Sequence, residues 1–343
     1  MYLCRHFEEI TQTHPLSILM KKRIKFIVNP RSGVKKREKI EHLIEHEIDK
    51  TYFDFEIVHT EYVGHATILA AQAAADGYDI VVAVGGDGSV NEVAAGLIGS
   101  NTVLGMLPAG SGNGFAMHLG WGRDIGAVIR RLANADTEKV DTCTINGRPF
   151  VNLAGVGFEA AVATQIKKAT KRGFQAYFKA SFDHFFNYKC KTYKIRVDNT
   201  ELEIEALNVT IANAPMYGYN FVAAPLALYN DGKLEVMIIR RAAWWQYVFN
   251  MHRFLTRTLH KSSIVERLSG ERVEILLSEP DFAQFDGESL AINGDKIIFT
   301  VNHLSLTVLV PQKTVIASTS VSPKSSIIRE ENEGENIIPK PLL

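Results

Sequence analysis

Three short apolar segments of this chain each run directly into a glycine-rich turn, and this arrangement constrains the fold more than any other feature. The turns are Asn29-Pro-Arg-Ser-Gly33, Gly85-Gly-Asp-Gly88 and Pro108-Ala-Gly-Ser-Gly-Asn113. Helical patterns lie between the apolar segments, and strands that alternate with helices are typical of a parallel sheet with crossover helices. The three turns are therefore expected at the carboxyl edge of one sheet, where open α/β folds bind ligands.

The pattern of the sequence changes after about Asp141. Before it, the predicted strands are Ile24–Val28, Phe55–His59, Ile80–Val84 and Val103–Leu107, and the predicted helices are Arg37–Glu47, Ala66–Ala75 and Val90–Ile98. After it, apolar and polar residues alternate with a period of two, which is typical of antiparallel strands. These predicted strands are Tyr193–Val197, Leu202–Ile204, Leu207–Ala212, Leu234–Ile239, Val273–Leu277, Ile297–Val301 and Leu306–Val310.

The length of the chain favours two domains, because 343 residues exceed the roughly 250 to 300 at which single cores stop growing. We predict an α/β fold in which a three-layer nucleotide-binding domain over 22–140, rejoined by a strand near 303–313, precedes a β-rich sandwich domain over 141–302. Residues 1–21 are predicted to be an N-terminal extension. The segment 318–343 is rich in Ser, Lys, Glu and Pro and is predicted to lack order.

The composition excludes several other classes of protein. Lys plus Arg and Asp plus Glu both number 38, so no overall charge points to nucleic acid. Cys4, Cys143 and Cys190 are far apart and lack the spacing of a zinc site or a disulfide framework. No apolar run reaches the roughly 18 residues that a membrane span needs, and residues 1–20 do not resemble a signal peptide. These features predict a cytoplasmic protein.

The turn that contains Asp87 is the most informative of the three. Glycines let a backbone approach a phosphate closely, and a helix that begins at the turn offers free N–H groups. A carboxylate beside phosphates repels them unless a cation or a hydrogen bond intervenes, so the turn favours a metal nucleotide. The alternative is an ordinary strand-to-helix turn with Asp87 as the helix cap. The spacing matches neither the P-loop nor the GxGxxG motif of dinucleotide folds.

Taken together, Asn29-Pro-Arg-Ser-Gly33, Gly85-Gly-Asp-Gly-Ser-Val-Asn-Glu92 and Pro108-Ala-Gly-Ser-Gly-Asn113 resemble the signature segments of the diacylglycerol kinase catalytic-domain family. That family includes bacterial lipid kinases and sphingosine kinases and is distantly related to NAD kinases. The resemblance extends from about Lys22 to Gln312. It implies an ATP site formed by Asn29, Pro30, Arg31, Ser32, Gly33, Thr60, Gly86, Asp87, Gly88, Ser89, Val90, Asn91, Glu92 and Ser111. The family usually has Thr at the two positions of Ser89 and Ser111, and the hydroxyl is kept.

The same resemblance assigns two acidic loops of the second domain. It implies that Mg²⁺ is bound by the Asp231 side chain and by the carbonyls of Leu228 and Lys233, where oxygen ligands suit this ion. It also implies that Asp286 is the general base. By themselves, the Asp-Gly pairs of both loops read as ordinary hairpin turns. Mutual repulsion among four acids within ten residues is expected to raise at least one pKa, and these acids are Glu279, Asp281, Asp286 and Glu288.

Two basic, aromatic segments are candidates for membrane contact. Residues 240–261 contain five Lys or Arg and no acid, and paired Trp with basic residues suits an anionic membrane surface. One stripe at helical spacing consists of Trp244, Val248, Met251, Leu255 and Leu259. A helix packed on the second domain by this stripe is the alternative. Residues 167–194 also interleave eight Lys or Arg with aromatics, which recur at helical spacing and favour a cleft-lining or membrane-facing helix over nucleic-acid contact.

The resemblance implies an ATP-dependent lipid kinase at the inner membrane face, without a nucleic-acid partner. Diacylglycerol is the first acceptor expected. A sphingoid base is the alternative, because Leu107-Pro-Ala-Gly-Ser-Gly-Asn113 looks more like the sphingosine kinase form of that segment. An NAD kinase-like enzyme and a nucleotide-binding regulator without turnover are further alternatives, although a binding module needs neither Asp231 nor Asp286. The oligomeric state is left open, a homodimer included.

Overall fold

The computed structural model of the protein describes residues 21–31, 37–168, 181–182 and 184–312. Several of the segments discussed above lie outside these residues: the extension up to residue 20, Ser32, Gly33, much of the basic segment 167–194 and the segment 318–343. Within the described residues no helix is long and apolar enough to cross a membrane.

The first part of the chain builds a parallel sheet with helices on its faces. Its strands are β1 (Lys22–Val28), β2 (Phe53–His59), β3 (Ile80–Gly85) and β4 (Val103–Pro108), in the order β4-β3-β1-β2. Its helices are α1 (Arg37–Glu47), α2 (His65–Ala75), α3 (Asp87–Leu97), α4 (Gly114–His118) and α5 (Ile125–Arg131), followed by a 3₁₀ turn (Leu132–Asn134). The predicted alternation is confirmed, although α3 begins three residues before the predicted Val90.

The register of this sheet places the three glycine-rich turns side by side. Val28 pairs with Val84, and Val84 pairs with Leu107, so β1, β3 and β4 end at the same level. All six residues of β3 are buried, as expected for a central strand covered on both faces. Each such Val or Ile side chain contributes roughly 1.5–3 kcal/mol through burial. The strand ends are therefore fixed by a well-packed core.

The second part of the chain is dominated by antiparallel strands. They are β5 (Asp136–Ile145), β6 (Arg148–Phe150), β7 (Leu153–Gly157), β8 (Lys191–Val197), β9 (Thr200–Ala212), β10 (Met216–Gly218), β11 (Phe221–Val222), β12 (Leu234–Arg240), β13 (Val265–Gly270), β14 (Arg272–Leu276), β15 (Asp281–Phe285), β16 (Glu288–Ile292) and β17 (Lys296–Val310). The helices of this part whose bounds the structure describes are α6 (Phe158–Lys168), α7 (Trp244–Asn250) and α8 (His252–Leu255), with a 3₁₀ turn at Leu259–Lys261. The prediction of an α/β part followed by a β-rich part is confirmed.

Two pairs of predicted strands are in fact single strands. The predicted strands on either side of Glu205 form the continuous β9, and those on either side of His303 form β17. β17 keeps its pairing with β5 across an irregularity between Asn302 and Leu306. Short polar interruptions suggested strand ends, but the neighbouring strands continue the hydrogen-bonded ladder past them.

β17 also joins the two parts of the chain. It pairs antiparallel with β14 and β5, and near its end Val308 pairs in parallel with Leu104 of β4. The last strand thus completes the first sheet, and the described strands other than β10 and β11 belong to one continuous sheet. The division into domains at residue 140 stays a prediction.

The segment 240–261 differs from the single helix that its stripe predicted. It forms α7, α8 and a 3₁₀ turn, with Arg257 in the left-handed region at φ 57°. Leu259 is buried, whereas the other four residues of the stripe are exposed. The packed-stripe alternative is therefore wrong, because only the last residue of the stripe reaches the core.

Candidate active site

The second and third glycine-rich turns touch each other backbone to backbone. The Gly85 carbonyl accepts hydrogen bonds from the amides of Ala109 (2.9 Å) and Gly110 (3.0 Å). A Cβ atom at Gly110 would overlap the Cα of Gly86. Asn113, in the left-handed region at φ 57°, closes the third turn by accepting from the Gly110 amide (3.0 Å) and donating to the Gly110 carbonyl (2.8 Å). The turns form one rigid platform at the edge of the sheet.

The first turn is connected to this platform through Asn29. Its amide donates to the Val84 carbonyl (3.1 Å), and its Nδ2 donates to the Ser89 hydroxyl at the start of α3 (3.1 Å). Its Oδ1 accepts from the Arg31 amide (2.9 Å), and the Thr60 amide donates to Val28 (3.0 Å). The described part of the first turn, together with Thr60, therefore lies beside α3. Pro30 and Ser111 are exposed there.

The last three residues of the predicted nucleotide-binding segment Gly86–Glu92 also contact the protein itself. Val90 packs in the core, and Asn91 donates to Asp286 Oδ2 (2.8 Å) and to a backbone carbonyl. Glu92 Oε2 accepts from the Ala66 amide (3.2 Å) at the start of α2. The structure therefore places Asn91 on the predicted base and Glu92 at a helix N-terminus, a favourable position for a carboxylate.

Asp286 is buried, and its carboxylate is held by four hydrogen bonds. Asn91 Nδ2 and the Val151 amide donate to Oδ2 (both 2.8 Å), while the amides of Asn152 (3.0 Å) and Leu153 (3.1 Å) donate to Oδ1. These bonds lower the pKa of Asp286, but burial outweighs them and raises it. The carboxylate is thus fixed in position and more basic than an ordinary aspartate, as a proton acceptor requires.

The cause of this shift differs from the expected repulsion among the four acids. Lys191 on β8 forms an ion pair with Asp281 (2.8 Å) and lies 3.9 Å from Glu279. Those two acids therefore have a cationic neighbour from a distant part of the sequence. Burial, not the neighbouring carboxylates, is the largest cause of the raised pKa of Asp286.

Asp87 at the start of α3 faces Asp286. Burial and the charge of Asp286 raise the pKa of Asp87 to about 7, although the amides of residues 113–115 lower it. Its Oδ1 is buried without a hydrogen-bond partner in the described part of the chain. A Cβ at Gly88 would lie 3.4 Å from Glu288 Oε1, so the acidic loop lies against the turn. A cation bound with a nucleotide would relieve this repulsion, so the residues fit a metal nucleotide.

The predicted metal loop rests on a carboxylate that the sequence did not single out. Asp231 is exposed, and its Oδ1 accepts from the Lys233 amide (3.1 Å). Beneath the loop, the fully buried Asp141 accepts from the amides of Gly232 and Leu304 (both 2.7 Å). No three His, Cys, Asp or Glu side chains of the described residues are grouped as metal ligands. A cation here would need carbonyls and water, which fits a hard ion such as Mg²⁺.

A chain of hydrogen bonds links this loop to Asp286. Asn213 Nδ2 donates to the carbonyls of Asp141 (3.0 Å) and Val151 (2.7 Å), and the Val151 amide donates to Asp286. Asp141 and Asn213 were missed in the sequence because each is a lone polar residue beside apolar strand residues. That setting is itself a signal, since a buried polar side chain in a strand needs a specific partner.

A cavity of about 440 Å³ lies away from these residues. It is lined at the amino ends of the strands by residues such as Lys22, Ile80 and Val103. Ligands of open α/β folds bind at the carboxyl ends instead. The cavity is therefore not part of the candidate site.

Comparison with known proteins gives two matching family descriptions. Residues 23–145 match the diacylglycerol kinase catalytic domain, and residues 152–310 match the YegS C-terminal NAD kinase beta sandwich-like domain. A diacylglycerol kinase of Staphylococcus aureus (strain JH9) is 30% identical over 230 residues, which cover 65% of this chain and 72% of the relative. A diacylglycerol kinase of Bacillus subtilis (strain 168) is 29% identical over 278 residues, 78% of this chain and 90% of the relative. The resemblance found in the sequence is confirmed.

Two further comparisons concern the share of a relative that this chain spans and the fold of the chain. An uncharacterized protein of Synechocystis is 30% identical over 63% of this chain, and the chain spans only 52% of that relative. The crystal structure of a diacylglycerol kinase from Bacillus anthracis str. Sterne superposes with a TM-score of 0.64 at 20% identity, covering 84% of this chain and 97% of that one. This likeness confirms the predicted fold class.

Proposed function

The chain belongs to the diacylglycerol kinase family, and we propose that it transfers the γ-phosphate of ATP to the hydroxyl of diacylglycerol. The observation that supports this most strongly is the buried Asp286 carboxylate, fixed by four hydrogen bonds and opposite Asp87 on the glycine-rich platform. A buried carboxylate with a raised pKa beside a phosphate-binding turn suits deprotonation of an alcohol.

In this proposal each part of the site has one role. The backbone amides of the three turns bind the phosphates of ATP, and Asn29 holds the first turn against α3. Asp286 accepts the proton of the lipid hydroxyl as that oxygen attacks the γ-phosphate in line. Asn91 and the three amides on Asp286 keep the carboxylate aimed at this proton.

Divalent metal chemistry is usual for kinases, and two places in this chain suit a cation. Mg²⁺ bound with the nucleotide would offset the negative charge of the phosphates. Asp87 Oδ1 is positioned to contact such an ion or its water. Leu228, Asp231 and Lys233 would hold a second ion through oxygen ligands, and Asp141 supports that loop from below.

The acceptor can be tested with labelled ATP and a panel of dispersed lipids. We expect label in diacylglycerol, and little in ceramide, undecaprenol or NAD, because relatives that match most of this chain are diacylglycerol kinases. A sphingoid base is the second candidate, on the strength of the segment Leu107–Asn113. Label in the sphingoid base alone would show that a sphingoid base, and not diacylglycerol, is the acceptor. Label in NAD alone would contradict lipid kinase activity.

We also propose that α7 and α8 contact an anionic membrane surface. None of their residues is buried, and five large apolar side chains of the two helices are exposed together with Met251 between them. They are Trp244, Trp245, Val248, Phe249, Met251 and Leu255. The exposed Phe186 extends this surface through Phe185, whose ring contacts Tyr247 (5.6 Å between centroids). Arg257 and Lys261 follow these residues in the chain, are exposed, and provide charge complementary to anionic headgroups.

Changing both Trp244 and Trp245 to Ala is expected to weaken binding to vesicles of anionic phospholipid by about tenfold or more, since each exposed indole would bury apolar area in the interface. Cosedimentation measures the binding. Ile68→Ala, an exposed apolar residue on α2, is the matched control and should bind like the wild type. Equal binding of the double variant and the control would contradict the membrane contact.

A further inference from the structure

A row of polar side chains crosses the second part of the sheet close to Asp286. Gln284 of β15 pairs with Gly155 of β7, and Gly155 pairs with Thr210 of β9. Glu159, at the start of α6, lies over Gly155, where even a Cβ atom would overlap its Oε1. The absence of a side chain at residue 155 thus makes room for a carboxyl group between Gln284 and Thr210.

This row is buried but incompletely paired. Glu159, Gln284 and Thr210 are 6%, 5% and 3% exposed. The Tyr217 hydroxyl donates to Glu159 Oε2 and lies 2.9 Å from Thr210 Oγ1. Glu159 Oε1 and Gln284 Nε2, in contrast, make no hydrogen bond of good geometry with any described residue, although the Gln284 side chain lies close enough to Glu159 to lower the pKa of its carboxyl against the effect of burial. Leaving a buried polar group without a partner is energetically unfavourable, so two such atoms in one row indicate a ligand.

The row lies within reach of the molecule that Asp286 would deprotonate. Gln284 lies two residues before Asp286, and its Oε1 accepts from the Gly287 amide of the same loop (3.4 Å). Because two residues of a strand span about 7 Å, the backbone of Gln284 lies within about that distance of the backbone of Asp286. On the other side, the Tyr217 carbonyl would lie only 2.7 Å from a Cβ at Gly114, next to the third glycine-rich turn. The row therefore borders both the base and the phosphate-binding platform.

The two unpaired atoms are both hydrogen-bond donors. Gln284 Nε2 donates by its nature, and burial raises the pKa of Glu159 to about 8, which keeps its carboxyl protonated at neutral pH. No charge of a described Lys or Arg is among the causes that shift the pKa of Glu159. Two neutral donors select an uncharged acceptor atom, such as a carbonyl oxygen, over an ammonium group.

We propose that Glu159 and Gln284 bind an ester carbonyl oxygen of a glycerol-based acceptor while its free hydroxyl lies on Asp286. This inference rests on the proposed function and narrows it, because the two groups are only a few bonds apart in a diacylglycerol. A sphingoid base presents an amine in place of the ester. The pair would thus act as a specificity-determining subsite next to the base.

The test compares 1,2-diacylglycerol with 1,2-dialkylglycerol of the same chain length, which has the same hydroxyl but no carbonyl oxygen. For the wild type we expect kcat/KM to be roughly tenfold higher with the diacyl lipid, which corresponds to one or two hydrogen bonds to a neutral group. In Gln284→Leu and Glu159→Leu the ratio should fall to about one. Glu159→Gln keeps a neutral donor and should retain most of the ratio.

The outcomes separate this inference from the proposed function. A wild-type ratio near one, or an unchanged ratio in Gln284→Leu with a native melting curve, would overturn the subsite. Phosphorylation of neither lipid by the wild type would instead reject diacylglycerol kinase activity itself.

Discussion

Replacing Asp286 by Asn is expected to lower phosphate transfer to lipid by roughly 1,000-fold, the loss typical when a positioned base is removed, while ATP binding persists. The phosphates would be bound by the glycine-rich turns, which do not depend on a charge at residue 286. Initial rates with labelled ATP measure the transfer, and equilibrium titration with ATP measures the binding.

The hydrogen bonds of Asp286 require a control for folding. Both of its oxygens accept two donors, so an Asn side chain would turn an NH₂ group toward two N–H donors and destabilise the protein by about 1–3 kcal/mol. Thermal melts therefore accompany the assay. Glu279→Gln removes a charge from the same segment at an exposed position and should leave transfer intact. More than a tenth of wild-type transfer in Asp286→Asn would show that another group accepts the proton.

Gly110→Ala is expected to cause the largest loss of stability and of ATP affinity among the glycine substitutions in the turns. The new Cβ would overlap Gly86 Cα and lie 2.8 Å from Asn113 Oδ1 and 2.9 Å from Gly86 N. Most of these atoms belong to the backbone, so the two turns must separate. We expect a loss of about 3 kcal/mol in the free energy of unfolding and at least roughly tenfold weaker ATP binding.

Gly294→Ala is the matched control for this substitution, because the nearest atom to its new Cβ is the Lys296 carbonyl oxygen at 4.0 Å. It should change the midpoint of urea unfolding little. If Gly110→Ala shifts the midpoint no more than this control and binds ATP normally, the close contact between the two turns is not needed for the site.

Much of the first sheet could be predicted from the sequence because its signals are local. A strand such as Ile80–Gly85 is apolar throughout, and the glycines that follow it indicate a turn. The strand ends align because parallel pairing fixes the register, so three turns far apart in the sequence could be placed at one edge. The start of α3 was misplaced because Asp87 and Gly88 read as part of the turn.

The environment of the candidate site could not be predicted in the same way. Asp286 is buried by residues such as Asn91 and Val151, which are more than a hundred positions away in the sequence. Asp141 and Glu159 are single acids whose burial depends on strand pairing. The cause of the raised pKa was mistaken for the same reason, because Lys191 approaches the acidic segment only in the folded sheet.

The most direct test of the account is the transfer of labelled γ-phosphate from ATP to dispersed diacylglycerol, measured side by side for the wild type and Asp286→Asn. We expect labelled phosphatidic acid with the wild type and almost none with the variant, although both bind ATP. Absence of labelled lipid with the folded wild type, or equal label with both proteins, would contradict it.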